Sequence, residues 1–184
     1  MKFYDCFLVD SHKHNPVPRS WLRRCYKLML TQRYSMTVYL RMTEYFYDRY
    51  KQRSNRFYLL MADFFKRKNE VKNNFEHGYQ HNIAYGTLFH HTGITLNDNV
   101  VIDDNVQIFK NVTLAIVEGK TCEIGNGSVI FSHVIILGKK IGKNCVIGAG
   151  SVVTTDIPDN SIAVGSPARV IKKCVDAHDY LEYR

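Results

Sequence analysis

The chain has 184 residues, 45% hydrophobic and 23% charged, an ordinary globular balance with enough length for one sizeable core and an appendage. Its apolar run at residues 57–65 is broken by Asp63 and flanked by Arg56 and Lys66, which excludes a membrane-spanning helix there, and Asp5 and Asp10 interrupt the stretch a secretory leader needs, so a cytoplasmic location is expected. Five scattered cysteines, an odd number with no CxxC, exclude a disulfide framework and argue for buried, reduced thiols.

The formal charge of +8 is unevenly spread. Residues 1–75 hold 16 Lys/Arg against 6 Asp/Glu, a balance of +10; residues 76–184 hold 9 against 11, a balance of −2. The basic part suits an anionic partner, a membrane surface or an acidic glycan, or else is a solvated face; no nucleic-acid partner is expected.

Residues 18–72 read as three helices. Trp21, Leu22, Cys25 and Leu28 recur at helical spacing, then Tyr39, Met42, Phe46 and Tyr50, then Tyr58, Met61 and Phe65. Pro16 and Pro18 precede the first helix, Ser20 is its candidate N-cap, and Ser54 with Asn55 breaks the second from the third. The aromatic stripes are expected to be core. Residues 1–75 are thus expected to form a basic helical domain.

From residue 76 the helical period gives way to a period of six. Ile94, Val100, Val106 and Val112 form one run, Ile124, Ile130 and Ile136 a second, and Ile141, Ile147 and Val153 a third. A parallel β-helix explains this spacing: each unit is one short strand and a turn, three units close a triangular coil, and the aliphatic residue points inward. Asn, Asp and Gly at residues 97–99, 103–105, 125–127 and 142–144 suit the corners. The period breaks between Val112 and Ile124, where a short loop is expected to leave the coil. The coil is expected to end near residue 155, followed by an irregular tail from Pro158 and a short helix at 175–183. The fold class expected is α+β, a short helical domain followed by a β-helix with a C-terminal tail over residues 76–184.

The segments LFHHTGITLNDNVVIDDNVQIFKNVTL and VIGAGSVVTTDIPDNSIAVGSPARVIKK resemble the left-handed β-helix acyltransferases of the hexapeptide-repeat superfamily, in particular serine acetyltransferases and the capsule and O-antigen polysaccharide O-acetyltransferases. The resemblance covers roughly residues 75–173. It implies an acetyl-CoA-dependent O-acetyltransferase without a metal, assembled as a homotrimer with active sites between coils. It also implies a histidine general base, and the register from Ile94 back to Leu88 assigns that role to His90 in His-x-x-Gly, with His91 as the rival if a one-residue deletion lies elsewhere than between Ile83 and Leu88. Such a histidine can withdraw the acceptor's proton and return it to the departing thiol. The resemblance places an acidic partner one turn earlier, at Glu76. Ala115, Ser132, Gly148, Ala149 and Ser166 are implied to line CoA, with Arg169, Lys172 and Lys173 on its phosphates.

Two departures bear on the acceptor. Phe89 stands where serine acetyltransferases carry an aspartate before the base, and Lys120 with Thr121 replaces their Arg-His pair after the loop. Loss of groups that would bind a small zwitterion, and an aromatic suited to stacking on a sugar, favour a carbohydrate acceptor in a capsule, exopolysaccharide or O-antigen. Serine O-acetylation is the alternative. A remote one is a zinc protein of the γ-carbonic anhydrase type using His81, His90 or His91, and His133, although the spacing does not resemble that family. Ala115-Ile116 replaces the usual glycine pair, and His133 occupies a normally small position without an evident reason.

Overall fold

The computed structural model describes residues 32–117, 119–173 and 177. The first expected helix and most of the expected C-terminal one lie outside the described residues. Among the described residues two helices, α1 (Gln32–Arg53) and α2 (Arg56–Asn73), precede fifteen short strands. The break between the helices is where Ser54 and Asn55 predict it. Ser54 has φ 49°, and Asn55 caps α2 by accepting the Phe57 N–H at 2.9 Å. Asn74, left-handed at φ 48° and ψ 48°, ends α2, and β1 (Phe75–His77) begins at the next residue.

The strands stack into a three-sided parallel coil. Sheet A runs β1, β4 (Ile94–Leu96), β7 (Thr113–Ala115), β10 (Ile135–Leu137) and β13 (Val152–Val153). Sheet B contains β2 (Asn82–Ile83), β5 (Val101–Ile102), β8 (Glu123–Ile124) and β11 (Lys140–Ile141). Sheet C contains β3 (Leu88–Phe89), β6 (Gln107–Ile108), β9 (Val129–Ile130), β12 (Val146–Ile147), β14 (Ser161–Gly165) and β15 (Ala168–Lys173).

Every aliphatic residue of the three hexad runs is buried. They occupy two interior rows rather than one. Ile124, Ile130 and Ile136 pair with Ile102, Ile108 and Leu114, two residues beyond Val100, Val106 and Val112. The first row continues instead through Cys122, Ser128, Val134, Cys145 and Ser151, all fully buried. The small polar members of that row are satisfied locally, as where Ser128 Oγ donates to the Gly142 carbonyl at 2.9 Å and accepts the Cys145 N–H at 2.9 Å. Cys122 and Cys145 are buried thiols, and burial raises the pKa of both.

The loop after β7 leaves the coil where the period breaks. Val117 and Lys120 close it as an antiparallel bridge, with the Lys120 N–H donating to the Val117 carbonyl at 3.0 Å. The end of the coil departs from expectation. Ile157 still pairs with Ile141, and residues 161–173 form a hairpin whose first strand extends sheet C. The outer face of that sheet is apolar too: Val129, Val146 and Ile162 are covered together with Ala177.

α1 closes the opposite end of the coil. Met36 and Leu40 join Phe75, Ile83 and Phe89 in the main core, so the apolar interior runs unbroken from helix to coil. The aromatic stripes are not the deepest part of the helical pair, as expected, but a half-buried seam in which Phe46 and Phe65 stack at 5.6 Å.

Candidate active site

The chain leaves sheet C after Phe89 and turns onto sheet A through residues 90–93. This corner is one residue longer than the corresponding turn of the next coil: Phe89 pairs with Ile108 and Thr95 with Thr113. The irregularity therefore lies after Phe89, not between Ile83 and Leu88, where both coils run in step. The unit begins at Thr87, and His90 follows the strand directly.

Three features fix this corner. Gly93 has φ 81°, and a Cβ there would push the Asn111 side chain aside, so glycine is the easiest residue to place. The N–H groups of Gly93 and Ile94 donate to the Asn74 carbonyl at 2.9 and 3.2 Å, which ties the corner to the C-cap of α2. The same left-handed position recurs down the coil as Asn111, His133 and Gly150. That accounts for His133, which supplies a corner conformation and bonds Asn111 Nδ2 through its Nε2 at 3.0 Å.

His90 is half-buried and oriented on two sides. Its ring stacks on Phe109 at 4.3 Å and 13°, and Phe109 in turn stacks on Phe131 at 5.2 Å. Its Nε2 lies 2.7 Å from Gln107 Oε1 on the outer face of sheet C. An amide oxygen only accepts, so this pairing keeps the ring proton on Nε2 and makes Nδ1 the basic nitrogen. His91 is exposed at the tip of the corner.

Glu76 is placed elsewhere. It sits in β1 opposite Thr95, exposed, and borders a cavity of about 540 Å³ with Lys66, Glu70, His77, Asp98 and Ile116. Gln107, on the next coil, is a polar partner of His90 that the resemblance did not assign. Phe89 is 2% exposed and meets Phe75 edge to face at 5.0 Å in the core. It cannot stack on a sugar. The sequence pattern missed this because the shifted unit start turns position 89 inward.

Ser132, Gly148 and Ala149 follow His90 and Phe109 along the same edge of the prism. Gly148 is small for a local reason, since a Cβ there would come 2.6 Å from the Val164 side chain. Ala115 ends β7, where its carbonyl accepts the Gly138 N–H at 2.8 Å. Lys120 lies exposed in the extruded turn. Ser166 is exposed at the tip of the β14–β15 hairpin, and Arg169, Lys172 and Lys173 are exposed on β15. His81 is buried against Glu44, with Nε2 3.0 Å from Oε1, so the three histidines of the zinc alternative serve three separate local roles. Among the described residues no cluster of three His, Cys, Asp or Glu could hold a metal ion.

A polar knot ties α1 to the turn after β2. Arg41 donates to the carbonyls of Ile83 and Ala84 at 2.8 and 3.1 Å and to Glu44 at 2.9 Å. Burial pushes the Glu44 carboxyl up, but the His81 hydrogen bond and the Arg41 charge outweigh it and hold it below the usual range. Burial lowers His77 to about 4, and its Nε2 has no hydrogen-bond partner. Tyr79 donates to Asp63 Oδ1 and joins the coil to α2; its pKa is raised by burial and by that carboxylate.

No family model matches the sequence. Among curated proteins, the chain is 42% identical over 95 residues to a probable serine acetyltransferase of Oryza sativa subsp. japonica, covering 48% of this chain and 31% of that protein. It is 40% identical over 124 residues to the galactoside O-acetyltransferase of Escherichia coli strain K12, covering 58% of this chain and 61% of that one. The chain thus spans less than two thirds of the length of these relatives. Among solved structures, serine acetyltransferase from Brucella abortus strain S19 superposes with a TM-score of 0.76 at 24% identity, over 95% of this chain and 70% of that one. A serine acetyltransferase in complex with CoA superposes with a TM-score of 0.75 at 26% identity, over 92% and 69%.

Proposed function

We propose that this chain, which belongs to the hexapeptide-repeat left-handed β-helix acetyltransferases, moves an acetyl group from acetyl-CoA to a hydroxyl with His90 as general base. The observation that carries the reading is the imidazole held at a half-open edge by Gln107 at 2.7 Å and by the Phe109 ring. In this reading Nδ1 takes the hydroxyl proton as the oxygen attacks the thioester carbonyl. The C–S bond then breaks, and the imidazolium returns the proton to the thiolate, leaving an O-acetyl ester and free CoA. Gln107 holds the ring tautomer in the role the resemblance gave to a carboxylate at Glu76. Ala115, Ser132, Gly148, Ala149 and Ser166 would lie along the CoA, and Arg169, Lys172 and Lys173 would meet its phosphates. The proposed assembly is a homotrimer, checked by the mass in light scattering.

For the acceptor, we favour the hydroxyl of L-serine over a polysaccharide. The serine acetyltransferases among the relatives and the structural neighbours support it, and the burial of Phe89 removes the ring that argued for a sugar. A sugar hydroxyl is the second reading, supported by the half-buried Phe109 and Phe131 beside His90 and by the galactoside O-acetyltransferase relative. Thiol release from acetyl-CoA, measured with L-serine, free galactosides and polysaccharides, separates the two. With the preferred acceptor, His90→Ala is expected to lose about 10²- to 10⁴-fold in rate while keeping its fold. Full activity in His90→Ala, with loss in His91→Ala, would refute the assignment.

A further inference from the structure

α2 presents large apolar side chains on the face away from the core as well as in its seam with α1. The face turned toward α1 and the coil buries Ala62, Asn69 and Asn73. Asn69 Nδ2 donates to the Met36 carbonyl at 3.1 Å, and Asn73 bonds Asn69 and Ser35. The opposite face presents Phe57, Leu60, Phe64 and Val71, spaced three, four and seven residues apart, at 58%, 66%, 48% and 89% exposure. At 3.6 residues per turn these four lie on one stripe, roughly opposite the buried asparagines. The stripe is edged by cations. Arg56, Arg67 and Lys68 are exposed beside it, and Lys68 Nζ lies 5.6 Å from the Phe64 ring. The two acidic residues of α2 are engaged elsewhere, Asp63 by Tyr79 and Glu70 by Lys66 at 3.4 Å.

We propose that this face of α2 docks on an anionic lipid bilayer, with the stripe at the acyl boundary and the arginines and lysines among the headgroups. Charge complementarity selects this occupant. A second copy meeting the stripe through a two-fold axis would bring two equally cationic edges together. Residues 1–31 carry six Lys/Arg against two Asp/Glu and would repel the same edge. Among the described residues no helix is long and apolar enough to cross a membrane, so the contact is made at the surface. The proposal stands independently of the acceptor hydroxyl.

The test is sedimentation of the full chain with vesicles of equimolar phosphatidylcholine and phosphatidylglycerol, against pure phosphatidylcholine. Partition onto the anionic vesicles is expected to be at least about tenfold stronger, and to fall as salt rises. Phe57→Ser/Leu60→Ser/Phe64→Ser and, separately, Arg67→Glu/Lys68→Glu should each abolish it, with thiol release and assembly mass unchanged. Equal binding to neutral vesicles, or retained binding in the triple variant, overturns the proposal. A change of assembly mass in the triple variant also overturns it, because the stripe is then a contact between copies. A gentler variant guards against misfolding. Leu60→Trp should be quenched by brominated lipids, and an unquenched tryptophan would rule out contact with the bilayer.

Discussion

The coil and the helical pair solve the burial problem in opposite ways. In the coil the aliphatic residues of two inward rows are closed to solvent, and outside them lie turns, Thr, Lys and Glu, apart from the apolar outer face of sheet C. In α2 the fully buried positions are two asparagines and an alanine, Phe65 is half-buried against α1, and Phe57, Leu60, Phe64 and Val71 point out. The coil is therefore held by stacked aliphatic contacts repeated every turn. The helix is held by a few directed hydrogen bonds and by its half-buried aromatic seam with α1, which in turn lends Met36 and Leu40 to the core.

The largest stability effect should come from the coil. Ile108→Ala removes a fully buried side chain between Phe89 and Ile130, and should cost about 2–5 kcal/mol in urea unfolding. A loss near that from Leu60→Ala would erase the contrast. Acid should reach the junction next. His77 has its pKa lowered to about 4 by burial, so between pH 6.5 and 4 the unfolded chain takes up a proton that the folded chain refuses. This contribution is fully present above pH 6.5 and is lost as pH falls, by about 3 kcal/mol in all. Urea midpoints measured from pH 7 to 4.5 should drop in the wild type and drop less in His77→Phe. Asn69→Ala, which strips the bonds to Met36 and Asn73, should cost about 1–3 kcal/mol. At the bottom of the scale, Leu60→Ala should stay within about 0.5 kcal/mol, since its side chain already faces water.

The sequence revealed the coil well because its period is enforced on every turn. Inward residues that stack on their own equivalents must repeat, and the six-residue spacing of Val100, Val106 and Val112 shows it. Phase was less visible. Two interior rows two residues apart give the same period, so Ile124 followed Val112 in the pattern while pairing with Ile102 in space. That ambiguity carried over to the candidate site. His90 was legible as part of His-x-x-Gly, but the sequence pattern implied a one-residue deletion between Ile83 and Leu88 where the coil instead has an extra residue after Phe89, and Phe89 was turned outward as a result. Gln107 carried no signal at all. It is an ordinary outward residue of the next coil, and only the stacking of coils brings it to His90. The helices show the converse limit. Periodicity in residues 39–65 marks aromatic positions, but which face is buried depends on the coil end they meet, a tertiary fact absent from any local window.

The Asn74 carbonyl receives the amides of Gly93 and Ile94, where the His-x-x-Gly corner enters β4, and Asn74 is also the C-cap of α2. Helix and corner thus share a single pivot. A tilt of α2 therefore moves the anchor of the turn that carries His90.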